Sequence, residues 1–200
     1  MMKNKLFLGL AALSMSAILF TSCAKLPQAE IDAANAAIDS AKAVQADLYV
    51  PANFVAVQDS MNAVMVEVEA QKSKLFKKYT KVSEGLAGVT ALAQEVKVQA
   101  VTRKEEVKVE ATNTIAETTT LIATNRELLK KAPKGKEGAA ALAAMKDELD
   151  AIEVAVAEAT ATFDAGDLLG ALDKAKAAKD KATSINTELN DVIAKYQARR

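Results

Sequence analysis

The sequence contains no histidine and no tryptophan, and its 200 residues include one cysteine, three prolines and seven glycines. Histidine is the commonest general base and transition-metal ligand, so its absence argues against most hydrolytic and metal chemistry. A single cysteine excludes an internal disulfide framework and a thiolate zinc site. Aromatic residues make up 4% of the chain and hydrophobic residues 50%. This Ala-rich composition predicts an all-α protein rather than a β or α/β enzyme.

The charge pattern and the motif content also argue against an enzyme. The chain has 26 basic and 26 acidic residues, so nucleic acid is not an expected partner. It lacks the motifs GxGxxG, GxSxG and HExxH and the P-loop. The carboxylates at 67–69 and 147–150 fit exposed helix faces, because a four-helix di-metal site would need histidine. We predict no catalytic residue, no metal site and no cofactor.

The first 22 residues have the layout of a secretory signal peptide. Lys3 and Lys5 precede an apolar run from Leu6 to Phe20, which is shorter than the roughly 20 residues that span a bilayer. We therefore expect 1–22 to be cleaved. Cleavage removes two lysines and no acidic residue, which leaves two more acidic than basic residues in the rest of the chain.

The tetrapeptide Phe20-Thr21-Ser22-Cys23 resembles a bacterial lipobox. The resemblance implies that Cys23 is acylated and becomes the first residue of the mature chain, with residues 23–27 as a short linker. Phe20 departs from the usual Leu, and an ordinary signal peptide with a chance cysteine is the alternative. Ala24 follows, where an Asp would signal inner-membrane retention. We expect an outer-membrane lipoprotein that faces the periplasm or the cell surface.

Apolar residues recur at alternating steps of three and four from residue 28 onward, which is typical of amphipathic helices. Pro27 opens a first helix over 28–49, and Val50-Pro51 ends it. From Ala52 the pattern continues to Lys131, and it predicts an 80-residue helix about 120 Å long. Residues 28–131 thus form a helical hairpin in which the first helix lies antiparallel on a long rod.

The middle of this rod is expected to lack an internal partner. Gly85 and Gly88 are where the rod could fold back, but the apolar phase runs through them, so we favour one continuous helix. The candidate partner surface is an apolar strip that consists of Leu75, Tyr79, Val82, Leu86, Val89 and Val96. An exposed strip of that length predicts self-association or contact with other envelope proteins.

Residues 132–200 are predicted to contain a loop and an αα-hairpin that packs on the far end of the rod. The loop has the sequence Ala-Pro-Lys-Gly-Lys-Glu-Gly at 132–138, and the hairpin turns at Asp164-Ala165-Gly166-Asp167. The predicted fold is therefore all-α, with one very long helix and shorter antiparallel helices packed on it as in a coiled coil or helical bundle.

Two resemblances concern the mature chain. The stretch 29–64, with Ala-Asp-Leu-Tyr-Val-Pro at 46–51, resembles a bacterial envelope family of Ala-rich helical lipoproteins of unknown function. This implies an anchored, coiled-coil-like protein and supplies no substrate. The ending 193–200 is similar to the tail of the murein lipoprotein, which joins peptidoglycan through a terminal Lys. Because this chain ends in Arg199 and Arg200, at most a weak contact with peptidoglycan is implied.

Two functions follow from these features. The first is a structural spacer or scaffold, held to the membrane by its N-terminal lipid and extended by the rod. The second is a periplasmic client-binding or assembly module with chaperone-like activity. A spacer should keep one fixed partner or self-associate, whereas a chaperone should bind many unfolded chains weakly.

Overall fold

A computed structural model describes residues 25–133 and 138–198, and this part of the chain is helical with short connections. The predicted all-α class is confirmed. The described residues form six helices: α1 (Gln28–Ala43), α2 (Ala46–Tyr49), α3 (Pro51–Lys72), α4 (Thr80–Lys131), α5 (Ala139–Asp164) and α6 (Leu168–Gln197). With 52 residues, α4 is the longest of them, and at about 1.5 Å per residue it extends about 78 Å.

The predicted 80-residue helix is wrong, because the chain folds back between α3 and α4. Residues 73–79 form the connection, and Pro51 opens α3 at its first position. Gly85 and Gly88, where a fold-back was the alternative to a continuous helix, both lie inside α4. The rod is therefore about two thirds of the predicted length, and it has helices packed along it.

The first predicted helix also ends early. α1 stops at Ala43, and Gln45 adopts the left-handed conformation with φ of 64° before the single-turn helix α2. This φ is uncommon for a residue other than glycine. The Gln45 Oε1 atom accepts a hydrogen bond from Lys104 Nζ of α4 at 2.8 Å, so a tertiary contact holds the chain at this bend.

α1, α3 and the first half of α4 form an up-down-up bundle. Lys97 Nζ of α4 donates to Ser40 Oγ of α1 at 2.8 Å. Seven residues further along α4, Lys104 donates to Gln45, which lies five residues after Ser40. α1 therefore runs parallel to α4, and it is antiparallel to α3, which is the start of the predicted rod. α3 runs the other way, since Asn53 bonds to Gln99 while Val64 lies against Gly85.

α5, α6 and the second half of α4 form a second bundle with the same alternation. Arg126 of α4 pairs with Asp150 of α5 at 2.8 Å. Lys176 of α6 pairs with Glu110 of α4 at 2.6 Å, and further along α6 Asn186 bonds to Asn125. α6 thus runs parallel to α4. The turn before α6 is closed by Asp167, whose Oδ1 accepts from the Gly170 N–H at 2.9 Å, as an N-cap residue does.

Three apolar clusters follow one another along α4. The first fills the bundle of α1, α3 and α4, and it contains Phe54, Val57, Leu86 and Val96 among others. The second fills the bundle of α4, α5 and α6, around Leu149, Ile152, Ile185 and Leu189. Between them lies a junction cluster of Tyr49, Val107, Ala111, Leu168 and Leu172. The two bundles therefore meet through packed side chains halfway along α4.

A buried amide interrupts the apolar core of the second bundle. Asn125 is fully buried, and its Nδ2 donates to the Ala182 carbonyl oxygen at 2.7 Å. Its Oδ1 accepts from Asn186 Nδ2, also at 2.7 Å. A satisfied buried Asn fixes the register of paired helices at some cost in stability, so this contact specifies how α6 is aligned on α4.

Gly85 and Gly88 of α4 have different surroundings, and alanine substitutions should have different effects on stability at the two positions. Gly88 has no neighbouring atom within 4 Å of an added Cβ. Gly88→Ala should therefore raise the free energy of unfolding by about 1 kcal/mol, since alanine is the better helix former. A Cβ on Gly85 would lie 2.7 Å from Val64 Cγ2. Overpacking against Val64 should therefore cancel this gain. The free energy of unfolding of Gly85→Ala should be about 1–3 kcal/mol lower than that of Gly88→Ala.

Urea unfolding followed by circular dichroism measures both values. The double variant Val64→Ala/Gly85→Ala removes the obstructing methyl groups, and should restore part of what Gly85→Ala loses. Equal stabilisation by Gly85→Ala and Gly88→Ala would contradict the close approach of α3 to α4.

Candidate functional site

The predicted lipidation and cleavage residues, Phe20, Thr21, Ser22 and Cys23, lie outside the described residues. Arg199 and Arg200, the predicted contact with an anionic polymer, lie outside them as well. The described residues begin at Lys25, and Leu26 packs against the first cluster. At most about 18 Å of extended chain separates Cys23 from the start of α1 at Gln28. A group attached to Cys23 is thus held close to this end of the molecule.

The predicted partner surface is wrong as a continuous strip. Five of its six residues are buried at 6% exposure or less in the first cluster: Tyr79, Val82, Leu86, Val89 and Val96. They are covered by α1 and α3, which the fold-back at 73–79 brings onto them. Leu75 is the exception, because it lies in the connection itself and is 88% exposed.

Leu75 is part of an exposed apolar loop tip, which the predicted strip did not describe because it left out the neighbouring Phe76. Its neighbour Phe76 is 82% exposed, and the two side chains project from the connection at residues 73–79. We call this segment the Leu75–Phe76 loop. Among the large apolar side chains of the described residues, Leu75 and Phe76 are the two most exposed, and they are adjacent in sequence.

The base of the Leu75–Phe76 loop is held from inside the bundle. Gln71 is buried, and its Oε1 accepts from the Lys78 backbone N–H at 3.2 Å. Its Nε2 donates to Glu67 Oε1 at 2.6 Å. Tyr79 is buried directly after the loop. With both sides of its base fixed, the loop presents its two apolar side chains outward.

A second exposed apolar feature lies on the middle of α4. Val98, Val101 and Val109 are each at least half exposed, and we call them the valine stripe. A shallow groove that includes Val101 and Val109 is bordered by Glu105, Glu106 and Glu110. Its acidic rim distinguishes this surface from the Leu75–Phe76 loop.

The far end of α4 carries a groove of about 550 Å³ between α4 and α5. Its charged rim is an ion-pair network in which Arg126 and Lys146 both contact Asp150, at 2.8 and 2.9 Å. The hydrogen bond from Lys146 holds the pKa of the Asp150 carboxyl below its usual range, and the charges of Lys146 and Arg126 act in the same direction. These groups are at the surface, so the network contributes little to stability.

One tyrosine at the junction has a perturbed environment. Burial raises the pKa of the Tyr49 hydroxyl, and the negative charge of Asp167 raises it further. The Lys104 ammonium lies 5.7 Å from the centre of the Tyr49 ring, within the range of a cation–π contact. Tyr49 also packs with Leu168 and Leu172 in the junction cluster, so it lies where the bend after α1 meets the start of α6.

Residues 25–133 and 138–198 contain no group of three acidic, histidine or cysteine side chains placed to hold a metal ion. Across the same ranges, no helix combines the length and apolarity that a bilayer crossing requires. Comparison with protein-family models, curated proteins and solved structures finds no match to this chain.

Proposed function

We propose that this chain is an envelope lipoprotein that is anchored through acylated Cys23 and acts as a spacer or scaffold. The observation that carries the proposal is the position of the two ends. α1 begins beside the first turns of α4, since Glu30 and Ala33 line a hollow together with Ser83 and Leu86. α6 ends beyond Asn186, which is level with Asn125 near the other end of α4. The two ends of the described chain are thus separated by most of the length of α4.

The packing along α4 supports a stiff connection between these ends. The three apolar clusters cover α4 from Val82 to Ile122. Each half of the helix is braced by two neighbours, and the junction cluster bridges the halves. A lipid at one end and a braced helix of about 78 Å would hold the C-terminal end at a fixed distance from the membrane.

The valine stripe supports the scaffold part of the proposal. It lies on the middle of α4, away from the ends, where another envelope protein or a second copy of this chain would reach it. The same stripe is the observation that favours the alternative, a chaperone-like module that binds client chains. Suppression of the aggregation of an unfolded test protein at substoichiometric ratios would favour the chaperone, whereas the spacer predicts no such effect.

The anchor is tested by Cys23→Ser. We expect the wild-type chain to sediment with the membrane fraction and to incorporate radiolabelled palmitate. Cys23→Ser should incorporate none, because serine provides no thiol for the acyl transfer. Without the fatty acids the chain loses most of its membrane affinity, since each buried CH₂ contributes about 0.8 kcal/mol. Equal palmitate incorporation by the two chains would contradict acylation at Cys23.

The spacing is tested on the acylated protein in vesicles, labelled with a donor fluorophore at one introduced cysteine. The acylated thiol of Cys23 does not react, so Thr80→Cys and Ala194→Cys each give one site near either end. Energy transfer to acceptors on the lipid surface should be strong from position 80. It should be nearly absent from position 194, which lies on the order of 70 Å further out. Comparable transfer from both positions would mean that the molecule lies flat, and would contradict the spacer.

A further inference from the structure

The Leu75–Phe76 loop combines exposed apolar side chains with a concentration of positive charge. Five lysines and no acidic residue stand between Glu69 and Glu84 in the sequence. Lys72 pairs with Glu69 at 2.7 Å. Lys74, Lys77 and Lys78 are exposed, and among the described residues no carboxylate lies within ion-pair distance of them. Their charge is thus available to an anionic surface.

The loop lies at the end of the molecule from which the N-terminal linker leaves. Glu30 in the first turn of α1 is beside Ser83, which is one helical turn from Tyr79, the last residue of the loop. Lys25 stands five residues before Glu30 and extends toward the same end, because α1 runs parallel to α4. The loop, Lys25 and the linker to Cys23 therefore share one end of the first bundle.

We propose that the Leu75–Phe76 loop is a second membrane contact, which inserts Leu75 and Phe76 into the surface of an anionic bilayer. The proposal rests on the lipoprotein function for the identity of the membrane, but its binding chemistry is independent of the lipid. Apolar side chains partition into the interface between headgroups and acyl chains. The three free lysines would then lie at the level of the phosphates, where each contributes through electrostatic attraction.

A lipid surface fits this patch better than a second copy of the chain. Two copies that met through their Leu75–Phe76 loops would bring together six lysines, and this repulsion opposes association. A bilayer provides an apolar layer beneath a negative one, in the order in which the loop presents its side chains. With lipid and loop at one end, the rod would be held upright by two contacts instead of one flexible linker.

The absence of tryptophan from the chain makes the insertion measurable, because Phe76→Trp introduces a single fluorophore at the tip. The experiment uses the mature chain from residue 23 with Cys23→Ser, so that no acyl group binds the vesicles. Added to vesicles rich in phosphatidylglycerol, the F76W variant should show a blue shift and quenching by brominated acyl chains. The matched control is Val154→Trp, on α5 of the second bundle, where Val154 is 60% exposed. Its emission should not change.

Removing the apolar tip should weaken binding without altering the fold. Leu75→Ser/Phe76→Ser should lower the vesicle partition coefficient about tenfold or more, given the transfer free energy of the two side chains. Lys74→Gln/Lys77→Gln/Lys78→Gln should lower it about fivefold for each lysine, and neutral phosphatidylcholine vesicles should bind weakly. The circular dichroism spectrum and melting temperature should match those of the parent chain, because all five side chains are exposed.

Two results would overturn the proposal. One is an F76W emission that stays that of tryptophan in water when anionic vesicles are present. The other is equal partition of the Leu75→Ser/Phe76→Ser variant and its parent. Either result leaves acylation of Cys23 standing, since palmitate incorporation measures that separately. Conversely, vesicle insertion by the Cys23→Ser chain, together with no palmitate incorporation by the wild-type chain, would support the loop and contradict only the lipid anchor.

Discussion

Replacing Lys108 with proline should lower the free energy of unfolding by about 3 kcal/mol or more. Lys108 lies in the interior of α4 with its side chain 53% exposed, so the substitution removes little packing. The proline lacks the N–H that bonds to the carbonyl of Lys104, and its ring collides with that carbonyl. The loss in free energy of unfolding therefore reports how much the unbroken backbone of α4 contributes to stability at the junction of the two bundles.

A proline at position 108 should destabilise the protein more than a proline near a helix end. Val107 is fully buried beside Lys108, and it belongs to the junction cluster with Tyr49 and Leu168. A kink at 108 would displace Val107 from these partners. Of the six described helices, α4 alone runs through both bundles, so we also expect their unfolding to separate into two transitions.

Urea unfolding of the mature chain with Cys23→Ser, followed by circular dichroism, gives the stability change. Lys108→Ala is the matched control, and it should remain within about 0.5 kcal/mol of the parent because the ion pair to Glu105 is long and exposed. Small-angle scattering of the same samples reports the shape. An unchanged unfolding midpoint for Lys108→Pro would contradict a continuous helix through the junction, and with it the stiff spacer.

The parts of the fold that sequence could predict are those with a strong local cause. Proline fixes φ and cannot continue a helix, so Pro51 and Pro133 locate the start of α3 and the end of α4. Gly166, with φ of +88°, and Asp167 locate the turn between α5 and α6. Each of these positions depends on the residue itself and its near neighbours.

The fold-back at residues 73–79 lacks such a cause, and periodicity misled the prediction there. Val68 and Leu75 are seven residues apart, so the apolar phase agrees across the connection although the helix stops. The sequence signal that indicates the break is a gap in the apolar stripe. No apolar residue stands at 71 or 72, where the stripe needs one, and a run of lysines follows. The structure places buried Gln71 there, bonded to the Lys78 backbone N–H.

Gly85 and Gln45 show why tertiary contacts could not be anticipated. A glycine in a helical pattern suggests a break, yet Gly85 accommodates Val64 of α3 inside a continuous helix. Gln45 has no special turn preference, yet it adopts the left-handed conformation at the point where its side chain contacts Lys104. Both depend on residues far away in the sequence. The lipobox-like tetrapeptide at 20–23, by contrast, is a local pattern, and the prediction for Cys23 rests on sequence alone.

Leu86→Ala should lower the free energy of unfolding by about 2–5 kcal/mol, the range for a leucine truncated in a packed core. Leu86 is 1% exposed within the first cluster, and α1 and α3 both cover its face of α4. The matched control is Leu75→Ala, eleven residues earlier in the same sequence stripe but 88% exposed. It should change the stability by no more than about 0.5 kcal/mol.

This pair separates the folded-back structure from the continuous rod that the sequence pattern favours. In a continuous rod both leucines would lie on one unpartnered strip, and the two variants would behave alike. Any loss would then depend on protein concentration, because only association would bury them. In the folded-back bundle the loss for Leu86→Ala is intramolecular, so urea midpoints measured over a hundredfold range of concentration should coincide. Equal effects at the two positions, or a midpoint that moves with concentration, would contradict the packing of α1 and α3 on α4.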